Sequence, residues 1–112
     1  MIGLHLLIDS VMEQSVNKID IEEILHELPG KIGMKILAGP FIVKGNPENP
    51  GWTGFVIIDK SHISIHAFDQ GDLISIDVFS CKPFDTKIVT EYLRNKIKMH
   101  HIKIRVIERN QA

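Results

Sequence analysis

Residues 61–81 constrain the fold more than any other stretch of the chain. Two runs, Ser61 to Phe68 and Leu73 to Cys81, alternate apolar and polar residues and are joined by Asp69-Gln70-Gly71-Asp72. Alternation at period two marks strands, and a short joint rich in Asp and Gly marks a hairpin. Pairing Asp69 with Asp72 fixes the register, with His66 opposite Ser75, Ser64 opposite Asp77 and Lys60 opposite Cys81. One face then carries Ile63, Ile65, Ala67, Ile74, Ile76 and Val78, a core face. The other carries His62, Ser64, His66, Phe68, Leu73, Ser75, Asp77, Phe79 and Cys81. A merely solvated face does not gather Phe68, Leu73, Phe79 and Cys81, so a ligand, a second subunit or both must cover it.

The rest of the chain frames this hairpin. Ile2 to Ile8 is a β-branched and Leu-rich run, read as a strand. Ile21, Ile24, Leu25 and Leu28 repeat at helical spacing behind Asp20, Glu22 and Glu23, and Pro29-Gly30 is expected to end that helix. Met34 to Val43 reads as a strand with a bulge or edge at Gly39-Pro40. Gly45 to Gly51 holds two prolines and two asparagines and is a loop. Gly54 to Asp59 is a further strand. Asp85 or Thr86 caps a second helix whose stripe is Ile88, Val89, Tyr92, Leu93 and Ile97, and Ile102 to Ile107 is the final strand. The expected class is α+β: a two-layer α/β sandwich, one antiparallel sheet with two helices on one face.

Composition narrows the function. The 112 residues, 44% hydrophobic and 24% charged, make one domain whose core is moderate, so a second copy would help it. A formal net charge of −1 gives no reason to expect nucleic acid or an anionic membrane as partner. The single cysteine excludes an intrachain disulfide framework and fits a reducing cytoplasm. Leu4 to Ile8 is too short for a signal peptide, and no apolar run approaches the roughly 20 residues of a membrane span. Neither His5 and His26 nor the pair His100-His101, whose side chains should diverge on a strand, has the spacing of a zinc site, so no metal is expected. Ser61, His66 and Asp77 lack the nucleophile elbow of a hydrolytic triad. Lys96, Lys98, Lys103 and Arg105 read as a solvated face.

Five pieces, in order, resemble the prokaryotic S-adenosylmethionine decarboxylase proenzyme. They are His5-Leu6-Leu7-Ile8-Asp9, Gly33-Met34-Lys35-Ile36-Leu37, Trp52-Thr53-Gly54-Phe55-Val56, the Ser61-His62-Ile63-Ser64-Ile65-His66 run with Asp77-Val78-Phe79-Ser80-Cys81, and Val106-Ile107-Glu108-Arg109. The resemblance implies a chain that cuts itself between Lys60 and Ser61 into a β chain (1–60) and an α chain (61–112). Ser61 becomes a covalent pyruvoyl group, a ketone able to condense with the substrate amine and to accept electrons that ordinary side chains cannot. On the same ground His66 is the processing base, Cys81 the proton donor in catalysis, and Thr53 the hydroxyl near the processing intermediate. The implied substrate is S-adenosylmethionine, and the product feeds spermidine synthesis.

The chain departs from that family at three places. Lys60 stands where Glu is usual before the processing serine. Gln70 stands where a Glu is expected to bind the ribose hydroxyls, and is a weaker, uncharged partner. The segment Val43 to Gly51 replaces one that normally carries an adenine-stacking aromatic, leaving Trp52 or Phe68 as substitutes. Two alternatives therefore stay open: a pyruvoyl-dependent ornithine or arginine decarboxylase, and an unprocessed, non-catalytic paralogue. Assembly is constrained as well. His66 lies five residues from Ser61, about 16 Å at about 3.3 Å per residue, too far for proton transfer within one strand. Either the strands bend, or His66 serves the Ser61 of a second copy in a homodimer with shared active sites. The second reading also covers the apolar open face.

Overall fold

Six strands pair antiparallel throughout a single sheet. The computed structural model describes residues 3–110. Along the chain it runs β1 (Gly3–Met12), α1 (Lys18–Lys31), β2 (Ile36–Lys44), β3 (Gly51–Ile58), β4 (Ser61–Phe68), β5 (Leu73–Ser80), α2 (Thr86–Lys96) and β6 (Met99–Arg109). The order across the sheet is β2-β3-β4-β5-β1-β6. Both helices pack on one side, and the apolar residues that alternate toward them form the core: Leu6 and Ile8 of β1, Val56 and Ile58 of β3, Ile63 and Ile65 of β4, and Ile74, Ile76 and Val78 of β5. Against them lie Ile21, Ile24, Leu25 and Leu28 of α1 and Val89 and Leu93 of α2. The expected two-layer α+β sandwich therefore forms, with the far face of the sheet left open.

Asn17 starts α1 through a capping box: its side chain accepts the Asp20 N–H at 3.0 Å, and the Asp20 carboxylate accepts the Asn17 N–H at 3.1 Å. The helix does not stop at Pro29-Gly30 but continues to Lys31. Proline has no N–H to give to the preceding turn, yet Pro29 is buried on the helix's core face, and its carbonyl accepts N–H groups from Ile32 and Met34 at 3.2 and 2.9 Å. Gly33, with φ +73°, then turns the chain out. Asp85 caps α2 by accepting the Lys87 N–H at 2.9 Å. Ile88 is not part of the packed stripe; it is 44% exposed, and Ile97 packs from just beyond the helix end.

Strands β2 and β6 form the edges, and each is irregular where the sequence is. The register of β2 shifts between Ile36 and Ala38 and again between Ala38 and Phe41, across Gly39-Pro40. In β6 a shift falls between the partners of Asp9 and Val11, His101 takes φ +52°, and the Ser10 hydroxyl donates to the His100 carbonyl at 2.8 Å. This bulge defeats simple alternation, so the His100 and His101 rings do not diverge but sit 4.9 Å apart.

Helix α1 approaches the sheet closely at Gly54 of β3. A Cβ there would sit 2.4 Å from Cγ2 of Ile21 and 2.8 Å from Cδ1 of Leu25. We expect Gly54→Ala to destabilise the fold by about 1–3 kcal/mol, as overpacking does, measured as a lowered urea midpoint. An unchanged midpoint would mean that α1 does not rest on β3 as described.

Candidate active site

The β4–β5 ladder has the register read from the sequence: His62 faces Phe79, Ser64 faces Asp77, and His66 faces Ser75. Ahead of β4, Asp59-Lys60 makes a two-residue turn that pairs Ile58 with Ser61. Lys60 takes φ +51°, a left-handed conformation that costs a residue with a Cβ about 1–2 kcal/mol. The strained residue is thus the one that precedes Ser61.

At this turn the chain gathers its hydroxyl and its thiol. Ser61 is buried, and its hydroxyl donates to the Asp59 carbonyl at 2.9 Å while accepting the Cys81 N–H at 3.0 Å. The Cys81 thiol donates to the same Asp59 carbonyl at 3.5 Å. Ser80 sets this bend: fully buried on the core side of β5, its hydroxyl oxygen accepts the Lys82 N–H at 3.0 Å. Neither Ser80 nor the Asp59 carbonyl stood out in the sequence. A serine at a core-facing position was the available signal, because a buried hydroxyl must find a partner.

The remaining site residues lie at the other end of the ladder. Thr53 of β3 is paired with His66 of β4, and Thr53 Oγ1 is 3.1 Å from His66 Nδ1. Phe68 lies against the His66 ring, with centroids 6.4 Å apart. Thr53, His66, Trp52 and Phe68 line one small cavity with the Gly45–Pro50 loop, about 160 Å³ in volume. Trp52, however, alternates toward the helix side with Ala67 and packs on the core, so of the two only Phe68 offers its ring on the open face. Gln70 is exposed in the 3₁₀ turn Gln70–Asp72 and does not line that cavity. The structure therefore joins Ser61 with Cys81 and Thr53 with His66, and separates the two pairs along β4.

Between them, in the middle of the open face, sits a third group. His5 Nε2 is buried, makes no hydrogen bond, and lies 3.7 Å from Asp77 Oδ2. The His62 ring stacks on Phe55 at 5.4 Å, with Phe79 at 5.6 Å and the His5 ring at 6.4 Å. The Arg109 guanidinium lies over Phe79 at 4.9 Å. Burial holds the His62 imidazole below the ordinary histidine range; His5 adds to this, Asp77 opposes it, and Arg109 adds again. Among the described residues no three His, Cys, Asp or Glu side chains come together as a metal site, and no helix is long and apolar enough to cross a membrane.

Comparison with known proteins gives one answer. A family model for S-adenosylmethionine decarboxylase matches residues 5–110. An S-adenosylmethionine decarboxylase proenzyme of Clostridium botulinum strain Langeland is 34% identical over 97% of this chain and 95% of its own length. One from Hydrogenobaculum sp. strain Y04AAS1 is 30% identical over 96% and 81%. The crystal structure of the adenosylmethionine decarboxylase from Aquifex aeolicus VF5 superposes with a TM-score of 0.81 at 25% identity, covering 99% of this chain and 92% of that one.

A depressed His62 has a defined sign. The unfolded imidazole binds its proton at higher pH than the folded one, so its contribution to stability is present above about pH 6.5 and is lost as the pH falls through the folded value. In a histidine NMR titration we expect His62 below about 6.5, and lower again in Asp77→Asn, which removes the opposing carboxylate. A His62 that titrates above the ordinary value would contradict the buried cluster.

Proposed function

Because this chain belongs to the S-adenosylmethionine decarboxylase family, we propose that it is made as a proenzyme that cuts itself between Lys60 and Ser61. The chain is an enzyme of the carboxy-lyase class. Its proposed substrate is S-adenosylmethionine, its proposed products are carbon dioxide and decarboxylated S-adenosylmethionine, and its proposed place is the cytoplasm, where one free thiol stays reduced.

The observation that carries this reading is the meeting of the only cysteine with the Lys60–Ser61 bond, through Cys81 N–H to Ser61 Oγ at 3.0 Å. Processing begins when the Ser61 hydroxyl adds to the Lys60 carbonyl carbon and the acyl group passes from nitrogen to oxygen, leaving an ester. Loss of the Ser61 Cα proton then expels the Lys60 carboxylate, and water converts the residual enamine to a ketone with release of ammonia. The left-handed backbone at Lys60 supports this assignment, since cleavage at that bond relieves the turn. The products are fragments 1–60 and 61–112.

The residues present fit a pyruvoyl group at position 61. Ser61 is 5% exposed, at the head of a strand fixed on both sides by β3 and β5, and the Cys81 thiol lies at the same turn. Such a group supplies a ketone conjugated to an amide, which takes up the electrons left when the carboxylate departs. The chain's own residues do the rest. Burial of Ser61 keeps bulk water from the reacting carbon, and the backbone of β4 holds that carbon in place. The Cys81 thiol, held by the Asp59 carbonyl, is the proton donor to the substrate carbon. His66, steadied by Thr53, is the processing base. Phe68, beside His66, is the ring available to adenine or to the sulfonium cation on the open face.

His66 serves a Ser61 that is not its own. The strands do not fold back: β4 is continuous from Ser61 to Phe68 and paired along its length with β3, which keeps the two residues at opposite ends of one ladder. A twofold homodimer of cleaved protomers solves this, with Ser61 and Cys81 from one copy and His66 and Thr53 from the other in each site.

Ser61→Ala should leave one full-length mass where the wild type gives two fragments. Cys81→Ala should still cleave yet release carbon dioxide from S-adenosylmethionine at least about a hundredfold more slowly, as loss of a proton donor does. Intact-mass measurement and carbon dioxide release, run in parallel with S-adenosylmethionine, ornithine and arginine, check both. Cleavage of Ser61→Ala would point to an external protease. Release from ornithine or arginine but not from S-adenosylmethionine would overturn the substrate.

A further inference from the structure

We infer that the His5–Asp77–His62 cluster is the polar centre on which two copies of this chain meet, and that its protonation sets how tightly they hold. The inference rests on the shared-site reading above and goes on to the regulation of that site.

The twofold operation that brings the partner's His66 to Ser61 also carries this copy's His66 to the partner's Ser61. The axis therefore passes near the midpoint between the two positions on β4, at the level of Ile63 and Ser64. The open-face side chains at that level are His62 and Ser64 on β4, Asp77 and Phe79 on β5, His5 on β1 and Phe55 on β3. Each copy thus presents this cluster to its counterpart. Phe55, Phe79 and Ile57, the last 39% exposed, supply apolar area around it.

The charges at this centre are few and unbalanced under acid. The groups that act on His62 are His5 from β1, Asp77 from β5 and Arg109 from β6, while β3 contributes only the Phe55 ring. Asp77 is the one anion among them. With the His62 imidazole neutral, Arg109 and Asp77 cancel in each copy. When the His62 imidazole gains a proton, each copy adds a positive charge, and the axis sets it against its counterpart where an interface excludes water. Asp77 lies 3.7 Å from His5 Nε2, so His62 has only a shared carboxylate to set against the Arg109 guanidinium. The dimer therefore loosens as the pH falls through the histidine range. Because each site takes residues from both copies, loosening disables processing and turnover together.

Sedimentation velocity on a dilution series of purified wild-type chain at constant salt tests this. The dimer dissociation constant should rise about tenfold or more between about pH 7.5 and about pH 5.5. His62→Phe keeps a ring between Phe55 and Phe79 without a titratable group and should flatten the dependence to within about threefold. Asp77→Asn removes the carboxylate that favours the charged His62 imidazole and should move the transition to lower pH, which keeps the test decisive even if His62→Phe fails to fold. A wild-type dimer equally tight at both pH values, or variants that respond to pH as the wild type does, would overturn the inference. A wild-type chain that is monomeric at every pH and concentration would overturn the shared-site reading itself, a separate result.

Discussion

The register of β4 between β3 and β5 is the constraint from which the rest follows. The ladder fixes Ser61 at the end of a two-residue turn, sets the Cys81 N–H on its hydroxyl, and sets Thr53 beside His66 at the far end. A slip of one residue would exchange the faces, sending Ile63, Ile65 and Ile76 to the open side and the histidines into the core. Burial of those isoleucines therefore holds the reactive residues in place as well as stabilising the domain. Core packing and site geometry are one interaction seen from two sides of the sheet.

The open face follows from topology. Each helix connection crosses the same side of the sheet: α1 carries the chain from β1 to the far edge at β2, and α2 carries it from β5 to the other edge at β6. Nothing in the described residues covers the other side, which bears Phe41, Val43, Ile57, Leu73 and Ile107 among its exposed apolar side chains. A sheet with one bare face and a site divided between the ends of one strand calls for a second copy on both counts, and the proposed twofold satisfies both at once.

Much of this was legible because it depends on period-two alternation and on one turn. The hairpin register, the core face and the position of Cys81 followed from the run 61–81 alone, and the family resemblance from the pieces around it. What escaped the sequence depends on local exceptions to those rules. Pro29 sits within α1 because tertiary burial and carbonyl bonds beyond it outweigh one lost N–H. His100 and His101 converge because a bulge breaks alternation. Trp52 turns to the core since its parity is set by β3, not by any substrate. The His5–Asp77–His62 cluster joins residues from three strands whose neighbourhood is a property of the strand order, and no spacing along the chain discloses it.

The central claim is that each site is built from two chains, and complementation tests it directly. Ser61→Ala and His66→Ala chains, carrying different tags, are co-expressed and the mixed dimers isolated through both tags. One site of each mixed dimer then holds both lesions, and the other holds neither. Intact mass should show cleavage of the His66→Ala chain, which supplies the intact Ser61, and none of the Ser61→Ala chain. Isolated mixed dimers in which no chain is cleaved would contradict the account and return His66 to the Ser61 of its own strand.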